Sequence, residues 1–152
     1  GGRGTLRLLS RGLKVTATDI SQEAIDLVRS KLPPGAPVSL VCAPFQELEL
    51  KLESYDVVVA CYSLFFLPLG EFEAFWSRVV ASVRPGGLFA GEFLGVNDSW
   101  SDRGLTLLDE PAVRRLFDSF EVLHFEEEDK DGHTSVGDDK HWHVFHVIAR
   151  KV

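Results

Sequence analysis

The chain has 152 residues, 45% of them apolar, which suits one hydrophobic core and a single domain over residues 1–152. Sixteen basic residues against 23 acidic ones leave a net charge of −7, so there is no electrostatic footprint for nucleic acid or for an anionic membrane surface. No apolar run reaches the ~18 residues of a membrane span, because Asp56, Ser63 and Pro68 interrupt the longest ones.

The only two cysteines, Cys42 and Cys61, each lie in an apolar, strand-like context, which predicts two reduced, packed thiols and a cytoplasmic protein without a disulfide. Methionine is absent even from position 1, and Gly1-Gly2-Arg3-Gly4-Thr5 runs straight into an amphipathic stretch, as if a preceding segment were missing.

Residues 5–11 place Leu6, Leu8 and Leu9 on one side and stop at Gly12, predicting a short helix with a glycine C-cap. Leu13 to Asp19 alternates β-branched residues and closes on an acid, a strand. Ser21 caps a helix over 22–32 that Pro33-Pro34-Gly35 stops, and Val38 to Val41 is the next strand. The continuous apolar run Tyr55 to Cys61 predicts a central strand buried on both faces. A helix over 69–83 carries Phe72, Phe75, Trp76, Val79 and Val80 inward, and Arg84-Pro85-Gly86-Gly87 separates it from a strand over 88–94. After a polar loop over 95–104, Asp109-Glu110-Pro111 starts a helix that ends near Ser119. Phe120 to Glu128 and His141 to Arg150 are two antiparallel strands joined by the connection 129–140. The acid run Glu126-Glu127-Glu128-Asp129 has no evident partner and reads as a solvated strand end.

Five segments carry a likeness. Gly2-Arg3-x-Thr5 precedes a helix, and a strand ends in Thr18-Asp19-Ile20-Ser21. Tyr55-Asp56-Val57-Val58-Val59 is followed by Ser63-Leu64-Phe65-Phe66-Leu67, and then by Val83-Arg84-Pro85-Gly86-Gly87-Leu88-Phe89. In order and spacing the chain resembles class I S-adenosylmethionine-dependent methyltransferases over nearly its whole length. Leu64 to Leu67 and the tail Lys140 to Lys151 are also similar to the tellurite-resistance methyltransferase branch. The resemblance implies an α/β, Rossmann-like open sheet, mostly parallel with an antiparallel C-terminal strand pair, its first strand missing. It implies S-adenosylmethionine as cofactor and a small-molecule methyl acceptor as partner. A missing central strand would leave its neighbours' edges exposed, so a homodimer is a further expectation.

The same resemblance distributes the site residues. Gly2 and Arg3 are what remains of the glycine turn, where backbone approaches the cofactor and a helix start receives its carboxylate. Asp19 takes the ribose hydroxyls, with Ile20 beside it. Pro44 stands where the family has an acid, and Phe45 flanks the purine; only Glu47 is left to accept from its exocyclic amine. Cys61 and Tyr62 lie beneath the cofactor. Topology alone places Tyr62, Phe66, Glu92, Phe93, Asn97, Asp98 and Trp100 toward the acceptor. Methyl transfer from a sulfonium is an in-line displacement that needs alignment more than a base, and no catalytic triad is expected.

His141 and His143 share one strand face and His146 the other, a spacing that predicts packing or hydrogen bonding and no metal site. A nicotinamide-binding domain is the rival enzyme class, but Arg7 occupies the place of its third glycine. A non-catalytic binding module built on the same fold is the other alternative.

Overall fold

The computed structural model describes residues 2–152, so Gly1 of the opening glycine pair lies outside the described residues. The chain forms two compact units, the first ending at Glu49 and the second spanning Leu50–Val152.

In the first unit, helix α1 (Arg3–Ser10) leads to strand β1 (Val15–Asp19), helix α2 (Gln22–Ser30) and strand β2 (Val38–Cys42). Helix α1 starts two residues before its expected position because Gly2, at φ 76°, supplies the left-handed turn that begins it. It ends as predicted: Gly12 is left-handed, its N–H donates to Leu9, and the Leu13 N–H donates to Leu8. The hydroxyl of Ser21 accepts from the Ala24 N–H at 3.2 Å and caps α2. Strands β1 and β2 pair in parallel from Val15↔Val38 to Asp19↔Cys42, and Val15, Ile25, Val28 and Leu48 are buried.

The second unit contains β3 (Tyr55–Ala60), α3 (Leu69–Ser82), β4 (Val83–Gly95), β5 (Leu107–Leu108), α4 (Glu110–Leu116), β6 (Phe120–His133) and β7 (Asp139–Lys151). Its strand order is β3-β4-β7-β6, with β5 paired to the end of β4; β3 is parallel to β4, and β7 runs antiparallel to both β4 and β6.

The core of this unit is aromatic. Phe72, Phe75, Trp76 and Val79 of α3 are buried with Phe89 and Phe93 of β4 and with Phe117 and Phe120. Trp76 packs edge-on to Phe89, Phe93 and Phe117, and its indole N–H donates to the Leu116 carbonyl at 3.2 Å. The ammonium of Lys151 donates to the Val80 and Val83 carbonyls and so ties the C-terminal end of α3 to the last residues of β7.

Four expectations are corrected here. Tyr55 to Ala60 is an edge strand, because β4 alone pairs with it among the described residues, and Val57 and Val59 are 36% and 42% exposed. Neither thiol is packed: Cys42 ends β2 and Cys61 follows β3, both exposed and free. The hairpin is longer than its polar composition suggested, β6 and β7 continuing to His133 and starting at Asp139. The acid run therefore lies inside a strand, where every member finds a partner (Glu126 with His124, Glu127 with His143, Glu128 with Lys130, Asp129 with His141).

Phe93 is 2% exposed and touches four other rings, so Phe93→Ala should cost about 3–5 kcal/mol by denaturant unfolding.

Candidate functional site

The first unit gathers several of the expected cofactor residues at the carboxyl ends of its parallel strands. Asp19 is the last residue of β1, and its Oδ1 accepts the Ser21 N–H at 2.9 Å, which fixes the carboxylate over the turn into α2. Register pairs Asp19 with Cys42, the Asp19 carbonyl accepts the Ala43 N–H at 3.0 Å, and the Cys42 thiol donates to the Ile20 carbonyl at 3.5 Å. The strand-to-turn segments carrying Asp19-Ile20 and Pro44-Phe45 are thereby joined. Ile20 is 73% exposed, an apolar side chain held in solvent beside the acid. Pro44 precedes a 3₁₀ turn over Phe45–Glu47, a feature absent from the sequence reading.

Gly2, at the N-cap of α1, is crowded as well as left-handed: a Cβ there would lie 2.7 Å from Cγ2 of Val28. Arg3 is the first helical residue and is exposed.

In the second unit, Cys61 and Tyr62 follow β3. Tyr62 has φ 47°, a left-handed backbone that an aromatic residue rarely adopts, and its N–H donates to Oε2 of Glu92 at 3.0 Å. Burial and the Glu92 carboxylate push the Cys61 thiol up from its ordinary value; burial, Glu92 and Glu128 do the same to the Tyr62 phenol. Glu92 also lies 3.8 Å from Nδ1 of His146. The Tyr62 ring meets Phe65, Trp142 and His146 edge-on, and Phe65 leans against the exposed Phe66. Cys61, Tyr62, Phe66 and Glu92 are thus one neighbourhood.

The other topological candidates have different work. Phe93 points into the aromatic core. The Asp98 side chain is fully buried, and its carboxylate accepts from the Trp100 N–H at 3.0 Å, the His143 N–H at 3.1 Å and the ammonium of Lys140. Lys140 sits 4.2 Å from the ring centroids of both Trp100 and Trp142, a charge boxed by two indoles. Trp100 is one wall of that box. Asn97 donates its side-chain amide to Asp129 at 2.8 Å and its backbone N–H to Nδ1 of His143 at 3.0 Å. The loop is accordingly anchored to the β6–β7 hairpin through the consecutive residues Asn97, Asp98, Ser99 and Trp100. Sequence reasoning missed Lys140 and His143 as anchors. A signal existed for Lys140: it is in strand phase with Trp142 and Val144, a position where a solvated lysine is out of place.

His141 and His143, on one face as expected, are both engaged with carboxylates. The two ring nitrogens of His141 meet Oδ1 of Asp131 at 2.7 Å and Oδ1 of Asp129 at 2.5 Å. Hydrogen bonds donated to Asp131 and Asp129 raise the His141 pKa above 6.5, while Asn97 first and His141 second hold the Asp129 carboxyl below 3.8.

Two outcomes follow. Asp98→Asn leaves the Lys140 ammonium buried without its counter-charge and should destabilise the fold by about 3–5 kcal/mol in denaturant titration, whereas Lys140→Met with Asp98→Asn should recover much of the loss. A folded-state pKa raised above 6.5 gives His141 a stabilising contribution that is complete below 6.5 and lost as pH rises through the raised value. The melting-temperature gap between wild type and His141→Asn should therefore be widest below pH 6.5 and narrow as pH rises above it.

Comparison with known proteins places this geometry in a family. Residues 1–87 match the model of a family described as a methyltransferase domain. Two curated relatives, carboxy-S-adenosyl-L-methionine synthases of Geobacter metallireducens and another Geobacter species, are 32% and 34% identical over 81 and 86 residues. The matched stretches cover 53% and 54% of this chain but only 28% and 34% of those proteins. Among solved structures, TehB from Haemophilus influenzae superposes with a TM-score of 0.81 at 17% identity, over 99% of this chain and 54% of that one. A SAM-dependent methyltransferase from Methanosarcina mazei gives 0.75 at 20% identity, over 99% and 88%. The 1,6-didemethyltoxoflavin-N1-methyltransferase of Burkholderia thailandensis, solved with bound 1,6-didemethyltoxoflavin and S-adenosylhomocysteine, gives 0.71 at 21%, over 99% and 67%. These likenesses establish a Rossmann-like α/β methyltransferase fold, and with a family model matching more than half its length, the chain belongs to the methyltransferase-domain family.

Proposed function

We propose that this protein binds S-adenosylmethionine and transfers its methyl group to a small-molecule acceptor. The observation that carries the reading is Asp19, an acid at the carboxyl end of a parallel strand, oriented by the Ser21 N–H and tied through its own carbonyl to the segment leading to Phe45. A carboxylate held this way suits the paired hydroxyls of a ribose. Ile20 and Phe45 supply apolar surface for a purine, although the Pro44 side chain offers no acceptor for its amino group. The crowded, left-handed Gly2 and the exposed Arg3 complete the cofactor residues proposed for the first unit, with Cys61 and Tyr62 those of the second.

The bound cofactor would supply an electrophilic methyl on a sulfonium. The chain's own residues then need only to align an acceptor and keep water away, and no catalytic acid or base is assigned. Glu92 holds the Tyr62 backbone in its left-handed conformation and so shapes the surface formed by Tyr62 and Phe66. An aromatic surface backed by a carboxylate suits a small organic acceptor. Net charge of −7 supports a partner other than nucleic acid, and two free thiols support a cytoplasmic setting.

A second reading, a non-catalytic binding module that self-associates as a homodimer, is favoured by Pro44 and by the edge of β3 that no strand pairs among the described residues. Isothermal titration separates the two. Saturable binding of S-adenosylmethionine and S-adenosylhomocysteine, absent for NADH and weakened at least about tenfold in Asp19→Ala, is expected for the enzyme. Binding of neither by a cooperatively folded sample selects the module.

A further inference from the structure

The imidazole of His143 is 3% exposed, and the proposed reaction gives it no part. Its hydrogen bonds fix its protonation state without reference to any titration. Nδ1 faces the backbone N–H of Asn97 at 3.0 Å; an amide N–H only donates, so Nδ1 carries no proton. The proton is on Nε2, which donates to Oε1 of Glu127 at 2.8 Å. The ring lies flat against Gly95, where a Cβ would come within 2.2 Å of Nδ1, 2.3 Å of Cγ and 2.4 Å of Cε1. It has no space to turn away while the loop stays in place. Protonating Nδ1 would set one N–H against another across 3.0 Å.

We infer that His143 is a positioning residue for the start of the loop over 95–104, holding the Asn97 backbone in place only as a neutral imidazole, so that acid loosens this acceptor-side loop at Asn97 while Asp98 still anchors the rest. The assignment of that loop to the acceptor rests on the proposed methyltransferase reading; the latch itself does not. The charged groups around His143 act in both directions. Glu127, bonded to the ring, and Asp129, both from β6, and Asp98, which accepts the His143 backbone N–H, favour a cation there, while Lys140, paired with Asp98, and the clamped His141 two residues back on the same strand oppose one. His141 gains contacts on protonation and His143 loses one, so global stability blurs the two and the Asn97 amide is the group to observe.

The experiment is amide hydrogen exchange by NMR on the full chain at about pH 8 and about pH 5, which spans the range over which imidazole changes charge. Each rate is expressed relative to the intrinsic rate at that pH. The Asn97 amide should lose at least about tenfold protection at the lower pH, while the Val147 amide inside β7 keeps its own. Imidazole nitrogen shifts should show the Nε2–H tautomer of His143 at the higher pH. His143→Asn retains an acceptor near the position of Nδ1 and does not titrate; it should protect Asn97 equally at both values. If this variant does not fold, the two wild-type readouts decide alone. Protection of Asn97 in wild type that does not change with pH, or an Nδ1–H tautomer, overturns the inference. Failure of S-adenosylmethionine to bind removes the methyltransferase reading and leaves these amide measurements unaffected.

Discussion

Asp98 is the residue around which the loop over 95–104 and the β6–β7 hairpin are organised. Burying a carboxylate costs several kcal/mol unless strong donors surround it, and here a lysine ammonium and two backbone N–H groups converge on it from different segments. The requirement is reciprocal, since Lys140 is equally buried and Asp98 is its ion-pair partner. Two indoles close the box and exclude water, which strengthens each contact inside it. Because Trp142 also meets Tyr62 edge-on, the left-handed turn after β3 shares a wall with the box.

The candidate residues of the two units are positioned by different means. The acid of the first unit is positioned locally, by hydrogen bonds within a few residues and one parallel register. The surface of the second is positioned from afar, with Glu92 thirty residues from Tyr62 and Lys140 forty-two residues from Asp98. The first arrangement needs only short-range geometry. The second exists once β4, β7 and the loop between β4 and β5 have come together.

The same division explains what the sequence disclosed. Ser21 and Asp109 were legible as caps because a cap is a three-residue signal, and both accept the N–H three positions on. Asp19 was legible from a strand, an acid and a helix start in succession. The antiparallel partnership of the last two strands was also legible, though their length was not. Glu126 to Asp129 look like a solvated end until the facing strand shows that His143 and His141 await two of them across the hairpin. The Asp98–Lys140 pair left only the faint trace of a lysine in phase with tryptophan and valine. Val57, Val58 and Val59 read as a strand covered on both sides because apolar composition reports what a strand can bury, whereas pairing decides what it does bury.

The flat seat that Gly95 offers to His143 also bears on redesign. Changing what such a protein accepts by exchanging the loop after β4 would transplant one half of a lock: a grafted loop with any side chain at position 95, or without an aspartate at 98, would meet a hairpin whose histidine and lysine are already shaped for the original. The loop and β7 therefore form one exchangeable module, and their sequences should be varied together.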